Sequence, residues 1–140
     1  MIFEGVYSEK QEHFIYGKKY YLNGNLKCEG EFYCDDSNLL FLMCFNNGKF
    51  KKYYENGNLK HEAEYLIGRL YNKYKKFYPN GALLFEGRYI NGLKNGEGEE
   101  YYSNGKLKFK GTYINSRMWD GIGYNNKGKK NIWNKKWKMW

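Results

Sequence analysis

The fold of this chain can be read from residues 77–91, FYPNGALLFEGRYIN, because the same arrangement recurs along most of the sequence. Two aromatic residues precede an Asn-Gly pair, and apolar or small residues then alternate with polar ones. One side of this run carries Leu83, Phe85, Gly87 and Tyr89, and the other carries Leu84, Glu86, Arg88 and Ile90. Alternation with a period of two predicts a half-exposed antiparallel β-strand.

Four copies of this unit can be aligned by their Asn-Gly pairs. The pairs begin at Asn23, Asn56, Asn80 and Asn104, the last three spaced by 24 residues, and Lys127-Gly128 continues the series. Two aromatics precede each Asn-Gly pair. A leucine, then Glu or Lys, a small residue and another aromatic follow it. Self-similarity at a fixed period indicates a repeat array.

The Asn-Gly pairs predict how the strands are connected. Asn-Gly between alternating runs favours a type I′ turn, so each unit is predicted to be a β-hairpin. A second turn, from Asn91-Gly92 to Asn95-Gly96, is expected to lead into the next hairpin. The sequence therefore predicts an all-β fold, an elongated single-layer antiparallel β-meander of repeated hairpins, twisted or curled and without helices.

We interpret residues 1–140 as a single repeat domain with irregular parts. Full hairpin units are expected near 14–34, 49–67, 73–91 and 97–115, with a compressed unit at 35–48 and a divergent, basic, Trp-rich cap at 117–140. Leu39–Phe45 is apolar on both faces and is expected to be the most buried strand or to lie against a partner. A half-unit at Ile2–Tyr7 leaves a homodimer through a sheet edge or face as an open alternative.

The net charge of +9 is concentrated at the C-terminal end, where residues 101–140 hold ten Lys or Arg, one acidic residue and all four tryptophans. Interleaved Lys and Trp suit an anionic partner, through phosphate contacts or a membrane interface. Alternatively, the tryptophans cap the open end of the sheet. The candidate binding residues are Arg117, Trp119, Lys127, Lys129, Lys130, Trp133, Lys135, Lys136, Trp137, Lys138 and Trp140.

The recurrent tyrosines are a second candidate surface. Tyr54, Tyr78 and Tyr102 occupy equivalent positions and are expected to align as a ladder. They are candidates for a binding groove, and the alternative is that they pack within the sheet.

Catalytic and metal-binding chemistry finds little support in the sequence. His61 stands where sister units have Phe85 and Phe109, which favours a role in filling the inner face. The three cysteines, Cys28, Cys34 and Cys44, show no metal-ligand spacing and are expected to be reduced thiols. We therefore expect neither an enzyme nor a bound metal or cofactor.

The recurrent glutamates Glu29, Glu62 and Glu86 are better explained by charge pairing than by a cation site. Each has a basic neighbour, Lys27, Lys60 or Arg88, which favours ordinary cross-strand ion pairs.

No apolar run approaches the roughly 18 residues of a membrane-spanning helix. The start of the chain also lacks a basic segment leading into an apolar one, so we expect a cytoplasmic location.

The repeated pattern Tyr-Tyr-x-Asn-Gly-x-Leu-x-x-Glu-Gly-x-Tyr-x-Asn-Gly resembles the MORN repeat, in particular its bacterial variant form. Residues 101–115 follow it at almost every position, although Lys110 replaces the recurrent Glu. The resemblance implies a single-layer sheet of successive hairpins without an active site. It also implies a scaffold or a binding module for proteins or membrane lipids. Proteins of the bacterial variant form include antitoxin or immunity partners of secreted toxins.

Three functions follow as expectations. The first is a non-enzymatic inhibitor, antitoxin-like or scaffold protein that occludes a partner through its sheet and basic end. That partner would have an acidic surface or be a nucleic-acid-handling enzyme. The second is binding to an anionic membrane surface through the Lys/Trp segment. The third is direct binding of nucleic acid, which has the charge but no recognised reader motif.

Overall fold

A computed structural model describes residues 3–7, 14–34 and 44–131 as one antiparallel sheet whose strands follow chain order without a crossover. These residues contain strands and turns but no helix, and therefore no membrane-spanning helix. The predicted all-β meander is confirmed. The strands are β1 (Phe3–Tyr7), β2 (Phe14–Tyr20), β3 (Leu26–Cys34), β4 (Cys44–Tyr53), β5 (Leu59–Leu66), β6 (Arg69–Phe77), β7 (Leu83–Ile90), β8 (Leu93–Tyr101), β9 (Leu107–Ile114), β10 (Arg117–Tyr124) and β11 (Lys130–Asn131).

Most Asn-Gly pairs do not form the predicted type I′ turns. In the second unit the amide of Gly57 donates to the carbonyl of Tyr54 at 2.9 Å, and the amide of Tyr54 donates to the carbonyl of Asn58 at 2.8 Å. Gly57, with φ of 90°, is the residue of the Asn-Gly pair that has a positive φ. These features define a type I turn closed by a glycine bulge. Gly24, Gly81, Gly105 and Gly128 repeat the arrangement.

Type I′ turns occur at the opposite edge of the sheet, where each hairpin connects to the next. Their central residues are Ile67-Gly68, Asn91-Gly92 and Asn115-Ser116, with φ of 48° and 72°, 52° and 80°, and 49° and 65°. Positive φ at both central positions is the signature of this turn type. We call the side of the sheet where the strands end in these type I′ turns the I′ edge, and the side where they end in Asn-Gly turns the Asn-Gly edge.

The Asn95-Gly96 pair lies inside β8, so the prediction that it belongs to a turn is wrong. Gly96 has φ of 93° at a shift in the register between β7 and β8. Gly48 in β4 and Asn72 in β6 occupy equivalent bulges, with φ of 72° and 67°. An extra residue with a left-handed backbone is characteristic of a β-bulge, which a dipeptide preference alone does not distinguish from a turn.

The expected compressed unit at residues 35–48, between β3 and β4, is described only from residue 44 onward. These strands are adjacent, and Cys34 lies opposite Cys44 in their register. Residues 44–48 form the start of β4. Residues 39–43 lie outside the described residues, so the predicted burial of Leu39–Phe45 stays a prediction.

One face of the sheet carries the core, and we call it the aromatic face. Its buried cluster consists of Ala63, Tyr74, Phe85, Phe109 and Tyr113, with Tyr65, Leu70, Leu84 and Tyr89 packed against it. Phe85 is only 1% exposed because other side chains of the sheet cover it. Its ring centroid lies 6.0 Å from that of Tyr89 and 5.7 Å from that of Tyr113. The aromatic side chains therefore shield one another in place of a second layer.

Glycine makes this coverage possible where rings lie directly on the backbone. A Cβ atom on Gly98 would lie 3.0 Å from the Tyr113 ring and 3.1 Å from the Phe85 ring. The small residues of the repeat are therefore explained by close packing of rings on strands.

Candidate binding surface

The candidate groove tyrosines link successive hairpins along the Asn-Gly edge. The hydroxyl of Tyr54 donates to the carbonyl of Phe77, that of Tyr78 to the carbonyl of Tyr101, and that of Tyr102 to the carbonyl of Tyr124, at 2.8 to 2.9 Å. All three tyrosines are half-buried. The structure therefore gives them a packing role, and a binding groove there stays a prediction.

The turn asparagines add a second set of links along the same edge. Asn56 accepts from the amide of Asn58 through Oδ1 at 3.0 Å and donates through Nδ2 to the carbonyl of Pro79 at 3.0 Å. The side chains of Asn23, Asn80 and Asn104 also donate to the following turn. The Tyr-Tyr-x-Asn motif is consequently used for repeat stacking.

The other face carries a row of charged side chains, and we call it the charged face. Neighbouring strands contribute, in order, Lys18, Glu29, Lys51, Glu62, Lys75, Glu86, Glu99 and Lys110. Ion pairs join Lys51 to Glu62 at 3.9 Å and Lys75 to Glu86 at 3.3 Å. The expected cross-strand pairing of the glutamates is confirmed.

The lysines that pair with these glutamates are not the sequence neighbours that suggested the pairing. Lys27 and Lys60 lie instead over the rings of Tyr21 and Tyr54, with Nζ 5.5 and 5.3 Å from the ring centroids. The partners come from the preceding strand because opposite residues in antiparallel strands share a face.

The charge row contains one defect, where Glu86 lies opposite Glu99. Beyond it the signs are exchanged, and Lys110 pairs with Glu99 at 2.7 Å. The hydrogen bond from Lys110 and another from Tyr101 lower the pKa of Glu99. Lys110 therefore neutralises the charge of Glu99 on β8. This pairing explains why position 110 holds Lys where the other units hold Glu.

A half-buried ionic cluster lies on the aromatic face. Lys94 donates to Glu100 at 2.6 Å, and Tyr113 donates to the same carboxylate oxygen at 2.9 Å. Burial alone would raise the pKa of Glu100, but these two hydrogen bonds and the charges of Lys94 and Lys108 outweigh it and lower the pKa. Lys94 Nζ also lies 4.0 Å from the centroid of Phe85, so this cluster is part of the core packing.

His61 fills the aromatic face as predicted. Its ring lies 5.5 Å from that of Tyr74, and its Nε2 lies 3.4 Å from the hydroxyl of Tyr65. Burial, and then the charges of nearby lysines, lower its pKa to about 4, so the imidazole is neutral at pH 7. Burial likewise raises the pKa of the Cys28 thiol.

The predicted basic C-terminal site is described only in part. Arg117, Lys127, Lys129 and Lys130 are exposed, and Trp119 is half-buried. Asn125 holds the last turn by accepting from the amides of Lys127 and Lys129. Trp133, Lys135, Lys136, Trp137, Lys138 and Trp140 lie outside the described residues, so their predicted role is not tested.

Other site chemistry is sparse in the part of the chain that the structure describes. No group of three or more His, Cys, Asp or Glu side chains there could hold a metal ion. An open hollow spans β4 to β6, and its lining includes Lys51, Glu62 and Lys75 of the charge row.

Sequence reasoning singled out Arg117 but missed the group to which it belongs, on the charged face at the I′ edge. Leu66 lies opposite Arg69, Ile90 opposite Leu93, and Ile114 opposite Arg117. Each position recurs after 24 residues, and this spacing was the signal in the sequence that could have revealed them. We call these six residues the I′ strip.

Together these features define an antiparallel hairpin-repeat protein whose motif residues link one hairpin to the next. The sequence profile of the MORN repeat variant matches residues 16–35, 46–66, 70–91 and 94–115, each a hairpin of the sheet. Since these matches cover more than half of the chain, the protein belongs to the MORN repeat variant family. No curated protein matches the chain. Family membership suggests a binding or scaffold role.

Proposed function

We propose that the protein is a non-enzymatic protein-binding module of the cytoplasm. It acts as an inhibitor, antitoxin-like or scaffold protein that occludes a partner. The partner presents an acidic surface or is a nucleic-acid-handling enzyme whose own ligand this basic protein displaces.

The observation that carries this proposal is that the recurrent positions of the repeat are used to join one strand or hairpin to the next. Tyrosine hydroxyls and asparagine amides link turns, and the charge row pairs Lys with Glu between strands. Such links preassemble a continuous surface. A preassembled surface binds a partner with little loss of conformational entropy.

The perturbed ionisable groups support binding rather than catalysis. The lowered pKa of Glu100 arises with Lys94 and Tyr113 in the core cluster, and the lowered pKa of His61 arises from burial beside lysines. Packing within the sheet accounts for the pKa shifts of both groups.

Affinity purification of the tagged full chain from its native cells tests the proposal. A protein that copurifies in stoichiometric amount through a high-salt wash is the expected result, and its activity should fall when the chain is added. An unrelated protein of similar net charge is the control. Recovery of only lipid or nucleic acid, or of nothing beyond the control, contradicts the proposal.

A second candidate function is binding to an anionic membrane surface. It is favoured by the last turn, where Lys127, Lys129 and Lys130 are all exposed. Each lysine near an anionic leaflet contributes roughly 1 kcal/mol. Cosedimentation with phosphatidylserine vesicles that is lost on changing these lysines to glutamine would support it, and equal binding to neutral vesicles would oppose it.

A further inference from the structure

The I′ strip brings four of the exposed aliphatic side chains of the sheet together in one row. Leu66 is 53% exposed, Ile90 48%, Leu93 43% and Ile114 41%. Within β5, β7 and β9, these aliphatic residues lie four positions after Glu62, Glu86 and Lys110 and therefore share the charged face. Aliphatic groups on a charged, exposed face do not serve the core of this sheet.

Hydrogen bonds between turns hold the pairs of the strip side by side. The amide of Gly92 donates to the carbonyl of Leu70 at 2.9 Å, next to Arg69. The amide of Ser116 donates to the carbonyl of Lys94 at 2.8 Å, next to Leu93. Three successive hairpins therefore present one continuous row.

Arginine is concentrated on this surface. The chain has three arginines, Arg69, Arg88 and Arg117. Two belong to the strip, and Arg88 lies two positions before Ile90 on the same face of β7. None of the three forms a salt bridge within the described residues, whereas lysines of the charge row pair with glutamates. Exposed aliphatic groups bordered by arginine are typical of a protein interface.

We propose that the I′ strip binds an acidic, amphipathic α-helix of the protein partner. This inference rests on the proposed function and adds the location and chemistry of the contact. Equivalent positions in successive hairpins are two strands apart, about 9.6 Å. Residues seven apart on a helix are separated by about 10.5 Å. A helix crossing the strands can therefore place apolar residues at heptad spacing on Leu66, Ile90 and Ile114, with acidic residues toward the arginines.

Charge distinguishes this occupant from a second copy of the chain. In a two-fold dimer through the strip, Ile90 would lie near its own copy and Leu66 near Ile114. The same symmetry would place Arg69 near Arg117, and like charges in an interface oppose association. An acidic helix neutralises both arginines.

The test uses a labelled synthetic helix of about 18 residues with leucine at every seventh position and glutamate beside each leucine. Fluorescence anisotropy measures its binding to the full chain. Ile90→Glu is expected to weaken binding by about tenfold or more. Leu22→Glu changes an aliphatic residue that is 100% exposed in a turn at the Asn-Gly edge, and it is the matched control expected to bind normally.

A charge reversal provides a second readout. The double variant Arg69→Glu/Arg117→Glu should no longer bind the acidic helix. It should instead bind a helix that has lysine in place of glutamate. Thermal unfolding confirms that the exposed substitutions leave the fold intact. Equal binding of acidic and basic helices to the wild type, or no binding of the acidic helix, overturns the proposal. The proposal is also overturned if the chain dimerises with increasing concentration, or binds vesicles, and Ile90→Glu abolishes that association.

Failure of the strip can be separated from failure of the proposed function. If the native partner copurifies equally with wild type and with Ile90→Glu, the protein-binding function stands and the I′ strip is not its site. If the partner no longer copurifies with Ile90→Glu but still copurifies with Leu22→Glu, the protein-binding function and its location at the I′ strip are both supported.

Discussion

Ile67 occupies a backbone conformation that a β-branched residue adopts only at a cost. Its φ is 48°, whereas the equivalent turn positions hold Asn91 and Asn115 at 52° and 49°. Asparagine tolerates this left-handed region because its side chain is short and polar. Since Ile67 is 73% exposed, little packing is lost on replacement. Ile67→Asn should therefore raise the free energy of unfolding by about 1 kcal/mol, as measured by urea denaturation.

The reverse change at an equivalent turn is the control for this prediction. Asn91→Ile should lower the unfolding free energy by a similar amount. If Ile67→Asn leaves the urea midpoint unchanged, conformational strain at this turn is not a significant part of the stability.

The pH dependence of stability should report His61. Its pKa is lowered to about 4 in the folded protein, whereas the unfolded value is about 6.5. The unfolded state therefore binds the proton first as the pH falls. The stabilisation is complete above about pH 6.5 and is lost toward pH 4, by roughly 1 to 2 kcal/mol at pH 5 for this partly exposed ring.

Urea denaturation at pH 7 and pH 5 checks this expectation, with His61→Phe as the matched variant. Phenylalanine stands at the equivalent position in two sister hairpins, so the variant should fold and lose much less stability between these pH values. Glu29, Glu99 and Glu100 have pKa values below the usual 4.5, so both proteins should lose stability at lower pH. Identical pH profiles would contradict the role assigned to His61.

At the scale of the hairpin, the tyrosine hydroxyls are predicted to contribute measurable coupling between units. Tyr78→Phe removes the 2.8 Å hydrogen bond to the carbonyl of Tyr101 and keeps the ring. The free energy of unfolding should fall by about 1 kcal/mol. Tyr71→Phe is the control, because Tyr71 is 48% exposed on β6 and makes no side-chain hydrogen bond to a described residue. Equal stability of the two variants would show that the hydroxyl links are not stabilising.

The exchanged charges of β8 and β9 lead to a prediction that opposes the repeat pattern. Lys110→Glu restores the recurrent residue of the repeat, yet it should lower the melting temperature. The new carboxylate would face Glu99, which already lies opposite Glu86. The decrease should shrink in high salt, because exposed charges are screened. A salt-independent decrease would point to packing instead.

How far the sequence predicts these hairpins depends on which interactions are local. Period-two alternation and the 24-residue spacing were sufficient for strands and their order. The turn types were not, because a glycine with positive φ serves equally in a three-residue turn, as at Gly57, and in a bulge, as at Gly96. The length of the loop and the register, which involve two strands at once, decide between them.

For the molecule as a whole, the I′ strip was also not predictable from local alternation, because it depends on the register of several strands. Arg69 and Arg117 are separated by 48 residues, and their common face depends on bulges within β6, β8 and β10. Alternation counted along one strand is interrupted at such bulges. The basic C-terminal end, by contrast, was evident from composition, although three of its tryptophans and three of its lysines lie outside the described residues.

The regular spacing predicts that the molecule tolerates insertion of a whole unit. A second copy of residues 73–96 placed after Gly96 keeps the Asn-Gly turns on either side of it 24 residues from the new one. Far-UV circular dichroism should show added β-structure, and the melting temperature should rise because a neighbour interface is added. An insertion of 12 residues at the same point is the control and should destabilise the sheet.

Among the described residues, the side-chain hydrogen bonds between Asn-Gly turns run forward along the chain, from Asn56 to Pro79 and from Tyr54 to Phe77, for example. The array therefore has a head and a tail, although its strands alternate in direction. Two arrays joined end to end can continue this pattern in one order only, with the tail of the first supplying donors to the head of the second. Sequence direction thus fixes how a longer array is assembled, and each added unit extends it by about 9.6 Å.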